Sequence, residues 1–289
     1  MNCFYLIDKP IGITSFDVLR KLKKILNIKK MGHTGTLDPL ATGLLLVAIW
    51  NYTKNFPYFK KDTKRYDFKI QIDGPTPGFD SETQITFITD EQKVYFKNTL
   101  TIEKINQILQ TQFTGKISQM PPKYSALKVW GKKALDMVRN GEEFELKARD
   151  VTIFEIEILW FSYPELHVKA KVSAGTYIRS IACDLWEILG TGGYISFLRR
   201  TAIGKLDLSL SQTLDNFEIP KSLPDNVLFS QEKFITLTPQ ELIDIDNGKI
   251  IRNNNSTLSD NSEYFVKNEE KISNIVKING LEMLPVRKI

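Results

Sequence analysis

The residues best placed to do chemistry lie between positions 32 and 43, in the run GHTGTLDPLATG. Its glycines permit positive φ or close backbone approach, and Pro39 pushes the preceding Asp38 out of the α region. Asp38 is thus an aspartate on a stiff loop, just ahead of the apolar run LLLVAIW at residues 44–50. That run has the length and composition of a buried strand. A carboxylate held there can serve as a nucleophile or as a general base. Taken alone, Asp38-Pro39 is better explained as a turn, so its company has to decide.

The elements that would position this loop can be read from periodicity. Residues 3–8 (CFYLID) form a short strand stopped by Pro10 and Gly12. Ser15 then caps a helix running to about Asn27, with Val18, Leu19, Leu22, Ile25 and Leu26 on one face and a basic opposite face. Residues 31–43 read as a loop. Tyr66, Phe68, Ile70 and Ile72 alternate with polar residues, as in a half-buried strand. Helices follow at Thr101, which caps one, and from about Gly131 to Arg139. Residues 150–161 and 166–174 alternate as paired antiparallel strands, residues 177–189 read as a helix, and residues 194–200 as a strand. Strands in series mixed with helices predict an α+β fold on a mainly antiparallel sheet. Residues 211–231 read as a connection, and residues 234–289 as short β segments (KFITLT, EYFVK, ISNIVKI, LPVRKI) forming a small β-rich appendage.

Of the 289 residues, 42% are hydrophobic and 25% charged, the composition of a folded globular chain. Lys and Arg outnumber Asp and Glu by 39 to 34. The excess is local: residues 20–30 (RKLKKILNIKK) carry six basic and no acidic side chains, and residues 60–65 (KKDTKR) carry four against one. Such clusters suit either phosphates or a solvated face. Cys3 and Cys183, with His33 and His167, have no metal-ligand spacing and suggest neither a disulfide framework nor a zinc site. The first residues lack a signal-peptide pattern and no apolar run approaches a membrane span, so the expected setting is the cytoplasm.

The run GHTGTLDPLATGLL resembles the catalytic loop of TruB-family pseudouridine synthases, and the resemblance continues in order along the chain. The family's Lys-x-Tyr strand is similar to Lys64-Arg65-Tyr66, and its Pro-containing SALK segment to residues 121–128 (PPKYSALK) followed by Gly131-Lys132-Lys133. Its GTYIR segment is matched at residues 175–179 and its Leu-Arg-Arg strand at residues 198–200. One stretch departs. Where the family usually has Thr-Asp-Thr-x-Asp closed by glycine, this chain has GPTPGFDSE at residues 74–82, keeping Asp80 without the closing glycine. The likeness covers residues 3 to about 210.

The resemblance implies the pseudouridine-synthase fold at residues 1–230 and a short PUA-like RNA-binding domain at residues 231–289. It implies isomerisation of a uridine in the T loop of tRNA, at position 55, after the base is flipped from its stack. Asp38 would be the catalytic carboxylate, paired with Arg179, since a buried carboxylate needs a cation to offset desolvation. Tyr66 would stack on the target base, Tyr177 and Leu198 would line the pocket, and His33 would fill the space the nucleotide leaves. Lys64, Arg199 and Arg200 would contact the RNA backbone. No cofactor, metal, membrane or protein partner is implied. Two other readings fit parts of the sequence: an RNA-binding or RNA-folding module with secondary or lost catalysis, and a relative of guide-dependent synthases acting on ribosomal RNA. The intact Asp38, Tyr66 and Arg179 set disfavours the first, and the compact chain without long basic extensions disfavours the second.

Overall fold

The computed structural model describes residues 3–59, 63–219, 221–224, 233–268 and 271–288. Lys60 and Lys61 of the second basic cluster, and most of the second half of the 211–231 connection, lie outside the described residues.

In chain order the elements are β1 (Cys3–Lys9), α1 (Ser15–Leu26), β2 (Met31–Thr34), β3 (Thr42–Ile49), β4 (Lys64–Gln71), α2 (Asp90–Thr99), α3 (Ile102–Ile108), β5 (Gly115–Gln119), β6 (Lys128–Val129), β7 (Lys132–Lys133), α4 (Ala134–Arg139), β8 (Arg149–Ser162), β9 (Glu165–Val172), α5 (Ile178–Leu189), β10 (Tyr194–Ile203) and β11 (Leu206–Asp207). The remainder comprises β12 (Phe234–Ile235), α6 (Pro239–Asp246), β13 (Ile251–Arg252), β14 (Glu263–Asn268), β15 (Lys271–Asn279) and β16 (Glu282–Lys288).

The main sheet runs β1-β3-β10-β4-β9-β8-β5, with β2 added beside β3 and β11 beside β10. All its pairings are antiparallel except β3 with β10. The alternation in β4 has the consequence expected of a half-buried strand. Tyr66, Phe68 and Ile70 point into a core shared with Val168 of β9, Ile105 of α3 and Ile181 of α5, whereas Arg65, Asp67 and Lys69 face outward. β1 and β3 are apolar on both faces because both are covered. Tyr5, Ile7, Leu45 and Val47 pack on Val18, Leu19 and Leu22 of α1, and Phe4, Leu6, Leu44 and Leu46 meet Phe265, Ile272 and Ile275. Those last residues belong to a second sheet, β12-β14-β15-β16-β13, closed on its other side by α6.

Four local expectations are corrected. Thr14, not Ser15, caps α1: its side chain accepts from the Asp17 N–H in a capping box, which frees Ser15 for another task. The 31–43 segment is a strand for its first four residues, β2, paired with β3. The helix expected from Gly131 begins at Ala134, because Lys128–Val129 and Lys132–Lys133 form a hairpin around Trp130-Gly131. KFITLT is a strand only at Phe234–Ile235, and Thr238 caps α6 directly after it.

Candidate active site

The loop between β2 and β3 is gripped from several sides, which leaves Asp38 little freedom. Ser15 Oγ accepts from the Leu37 N–H at 2.8 Å and donates to the Leu37 carbonyl at 3.0 Å. The Pro39 carbonyl accepts from the Gly12 N–H at 2.9 Å and from the buried Lys9 Nζ at 3.3 Å. On the sheet side Arg200 donates through Nε to the Leu44 carbonyl at 2.7 Å and through a terminal nitrogen to the Gly35 carbonyl at 2.8 Å. Gly43 has φ of +95° and lies so close to the Arg200 backbone that a Cβ would meet its carbonyl oxygen at 2.2 Å. Only glycine fits there. Leu37 and Ala41 anchor the loop in the core.

Asp38 faces a cavity of about 340 Å³, within the size range of small-molecule sites. Its Oδ2 is 3.0 Å from Arg179 Nε. The Nε–H does not point along that line, so the contact is Coulombic rather than an aligned hydrogen bond. Arg179 sits in the first turn of α5 and is 4% exposed. Its terminal nitrogens donate to the carbonyls of Gly78 and Tyr124 at 2.9 and 2.8 Å and to Asp80 Oδ2 at 3.0 Å. One guanidinium therefore bridges two carboxylates and three loops.

Asp80 is buried, and burial pushes its carboxyl up despite the pull of Arg179. Its other oxygen accepts from the Glu82 N–H at 3.1 Å. The loop that departed from the family pattern thus keeps in Asp80 a carboxylate that its fold uses. The sequence carried a signal for this, the retained Asp80, without showing that it would turn toward Arg179.

The cavity gathers Asp38, Lys64, Tyr66, Tyr177, Arg179 and Leu198. Tyr66 and Leu198 reach it because β4 and β10 pair antiparallel, with Leu198 opposite Phe68 and Arg200 opposite Tyr66. Tyr177 is fixed at the start of α5 by Gln119, whose amide both donates to its carbonyl and accepts from its N–H, at 3.0 and 2.8 Å. The Arg149 guanidinium lies 4.5 Å from the centre of the Tyr177 ring and also lines the cavity. That arginine, like Lys9 and Ser15, was missed, because each acts through tertiary contacts that no local spacing encodes.

Three expected residues stand elsewhere or act otherwise. His33 lies on β2 opposite Val47 and is not part of the cavity wall. Burial and the Arg200 charge push its imidazole down, toward the neutral form. Arg199 lies outside the cavity in a bidentate pair with Asp8, at 2.6 and 3.0 Å. Arg200 is 1% exposed and spends its guanidinium on backbone carbonyls. It braces the Asp38 loop from the cavity wall, where it stands with Asp38, Tyr66 and Leu198.

Residues 23–178 match the model of the TruB family pseudouridylate synthase N-terminal domain. The chain belongs to the TruB family. Among its relatives, the tRNA pseudouridine synthase B of Clostridioides difficile (strain 630) is 37% identical over 288 residues, covering 96% of this chain and 91% of that protein. The tRNA pseudouridine synthase B of Parabacteroides distasonis is 38% identical over 232 residues, covering 78% and 95%. Among solved structures, a chain from an H/ACA RNP bound to a substrate RNA containing 2'-deoxyuridine superposes with a TM-score of 0.71 at 21% identity, covering 99% of this chain and 84% of that one. That likeness is one of fold.

Proposed function

We propose that this protein isomerises uridine to pseudouridine in tRNA, at position 55 of the T loop, with Asp38 as the catalytic carboxylate. The observation that carries the reading is Asp38 itself: a carboxylate on an immobilised loop, 3.0 Å from a buried arginine, facing a cavity walled by Tyr66, Tyr177 and Leu198. The N1–C1′ bond of the uridine breaks, the freed base turns within the cavity, and a C5–C1′ bond forms. The C5 proton leaves and N1 takes one up, so substrate and product contain the same atoms and no cofactor is consumed.

A stacked base must first leave the RNA, at a cost of roughly a few kcal/mol, and aromatic surfaces recover part of this. Tyr66 supplies such a ring at the base, while Tyr177 and Leu198 limit its movement. Asp38 acts at the sugar, as nucleophile or as base, and Arg179 keeps its oxygen aimed there. Lys64, on the cavity wall, serves the phosphates. Residues 231–289 act as a PUA-like RNA-binding domain, and residues 1–230 form the catalytic domain. The enzyme works alone, in the cytoplasm.

Asp38→Ala is expected to abolish pseudouridine formation on a tRNA transcript while tRNA binding persists. Pseudouridine formed at the wild-type rate by that variant would remove Asp38 from the chemistry. Mapping pseudouridine in RNA from a strain lacking the protein tests substrate and position together: position 55 of tRNA should read as uridine.

A further inference from the structure

Among the described residues Trp130 is the most solvent-exposed of the large hydrophobic side chains, at 81%, and its backbone gives that exposure weight. It occupies the first of two turn positions between β6 and β7, with φ of +49° followed by Gly131 at +84°. Two-residue turns of this kind favour Asn-Gly or Gly-Gly, because a bulky residue at positive φ is strained. Here the strain is tolerated by a side chain that is held out in solvent.

The hairpin beneath it is firm. Val129 packs on the small core of Ala134, Met137 and Phe144, and the N–H groups of Ala134 and Leu135 donate to the Leu127 and Ser125 carbonyls at 2.8 and 3.1 Å. Ser125, Ala126 and Leu127 are themselves cavity wall, and the preceding Tyr124 carbonyl accepts from Arg179. Trp130 lies three residues beyond that wall, at most about 10 Å along an extended chain.

The hairpin is also basic. Lys128 stands directly opposite Lys133 across the strand pair, an arrangement that like charges disfavour, and neither has an ion-pair partner among the described residues. Lys132 alone is paired, with Glu142 at 2.8 Å. An exposed indole between unpaired lysines, rigidly mounted beside a cavity, fits a ligand with a π-face and phosphates.

We propose that Trp130 is a stacking platform for an unpaired nucleobase of the substrate RNA outside the catalytic cavity, with Lys128 and Lys133 meeting the adjoining phosphates. The inference rests on the RNA-modifying reading above. Trp130 is a binding residue and takes no part in bond making.

The test compares Asp38→Ala protein, which binds without turnover, with versions also carrying Trp130→Ala, Trp130→Asn or Trp130→Phe, using one purified tRNA transcript. The expected result is about tenfold weaker binding for Ala and Asn and near-normal binding for Phe, in line with stacking measured by alanine substitution. Asn suits positive φ, so agreement between Ala and Asn separates lost stacking from a disturbed turn. Addition of tRNA should quench indole emission, and the Phe variant should lose that quenching. Unchanged affinity in Ala and Asn with tRNA still bound overturns the proposal and leaves the proposed function standing. Failure of the Asp38→Ala protein to bind tRNA at all brings down both.

Discussion

Arg179 meets Asp38 on one side and Asp80 on the other, so two acids share one buried cation. Removing a buried cation costs more than the contacts it made, because it leaves a charge without compensation. Arg179→Met should therefore lower stability by about 3–5 kcal/mol and lower turnover by at least about 100-fold, the scale of losing a fixed electrostatic group. Adding Asp80→Asn to that variant removes the stranded charge. Urea unfolding should then recover part of the lost stability, while turnover stays as low as in Arg179→Met, since Asp38 still lacks its partner. Wild-type turnover in Arg179→Met would refute the positioning role.

At the scale of elements, α5 carries Arg179 at its start and Asp184 further along, one turn before Glu187. Burial, reinforced by the Glu187 charge, pushes the Asp184 carboxyl up to about 6. A carboxyl raised on folding favours the folded state while protonated. The unfolded chain loses this proton near pH 4 and the folded one near 6, so stability declines as pH rises through that window and stays reduced above it. Asp184→Asn should flatten this dependence, matching the wild type near pH 4 and exceeding it at pH 7–8 in urea midpoint. Identical profiles for the two proteins would mean that Asp184 does not titrate in this way. Turnover is a separate readout, because Asp184 is not part of the cavity wall.

The same elements show what the sequence makes legible. β4, β8, β9 and β10 declare themselves because one face of each is buried and the alternation is strong. β2 does not, since all four of its residues, Met31 to Thr34, are only partly buried and carry no period-two apolar pattern. α2 and α6 escape for a related reason. Each buries a single side chain, Phe96 or Ile245, so no apolar stripe forms. The signal that was present in both is the capping box, Thr89 with Gln92 and Thr238 with Glu241. In the site, Asp38, Tyr66, Tyr177, Arg179 and Leu198 were reachable through resemblance to a family. The bracing by Ser15, Lys9 and Arg200 depends on which surfaces meet in three dimensions, which local spacing does not encode.

At the scale of the whole molecule, the C-terminal sheet is built into the main fold. Phe265 is 1% exposed and packs with Phe4, Leu6, Leu44 and Leu46 of β1 and β3, and Tyr58 stacks edge-on against it with ring centres 4.9 Å apart. The Tyr58 hydroxyl also donates to Glu263 at 2.8 Å. A core shared in this way ties the two sheets into one unfolding unit. Phe265→Ala should cost about 3–5 kcal/mol, the usual penalty for emptying a buried aromatic site, and should shift the whole urea transition. A separate early transition with the main sheet intact would show the two sheets to be energetically independent.

The charge distribution operates on the same scale. The net charge of +5 is too small to hold RNA by itself, so affinity has to come from where the cations are concentrated. α1 presents Arg20, Lys21 and Lys24 outward, and Lys29 and Lys30 follow it toward β2. Of these, Arg20 is already engaged with Asp17. Lys21 also lines a second cavity with Arg199 and Lys9. A polyanion crossing α1 toward the catalytic cavity would displace counterions at each phosphate it meets, and binding should weaken with salt at about −0.7 to −0.9 in log-log slope per contact. Replacing Lys21 and Lys24 together by Gln should make that slope shallower by about 1.5, while turnover at saturating tRNA stays unchanged, because neither side chain reaches the reacting base. A slope unchanged by the double substitution would place the RNA path on another face of the molecule.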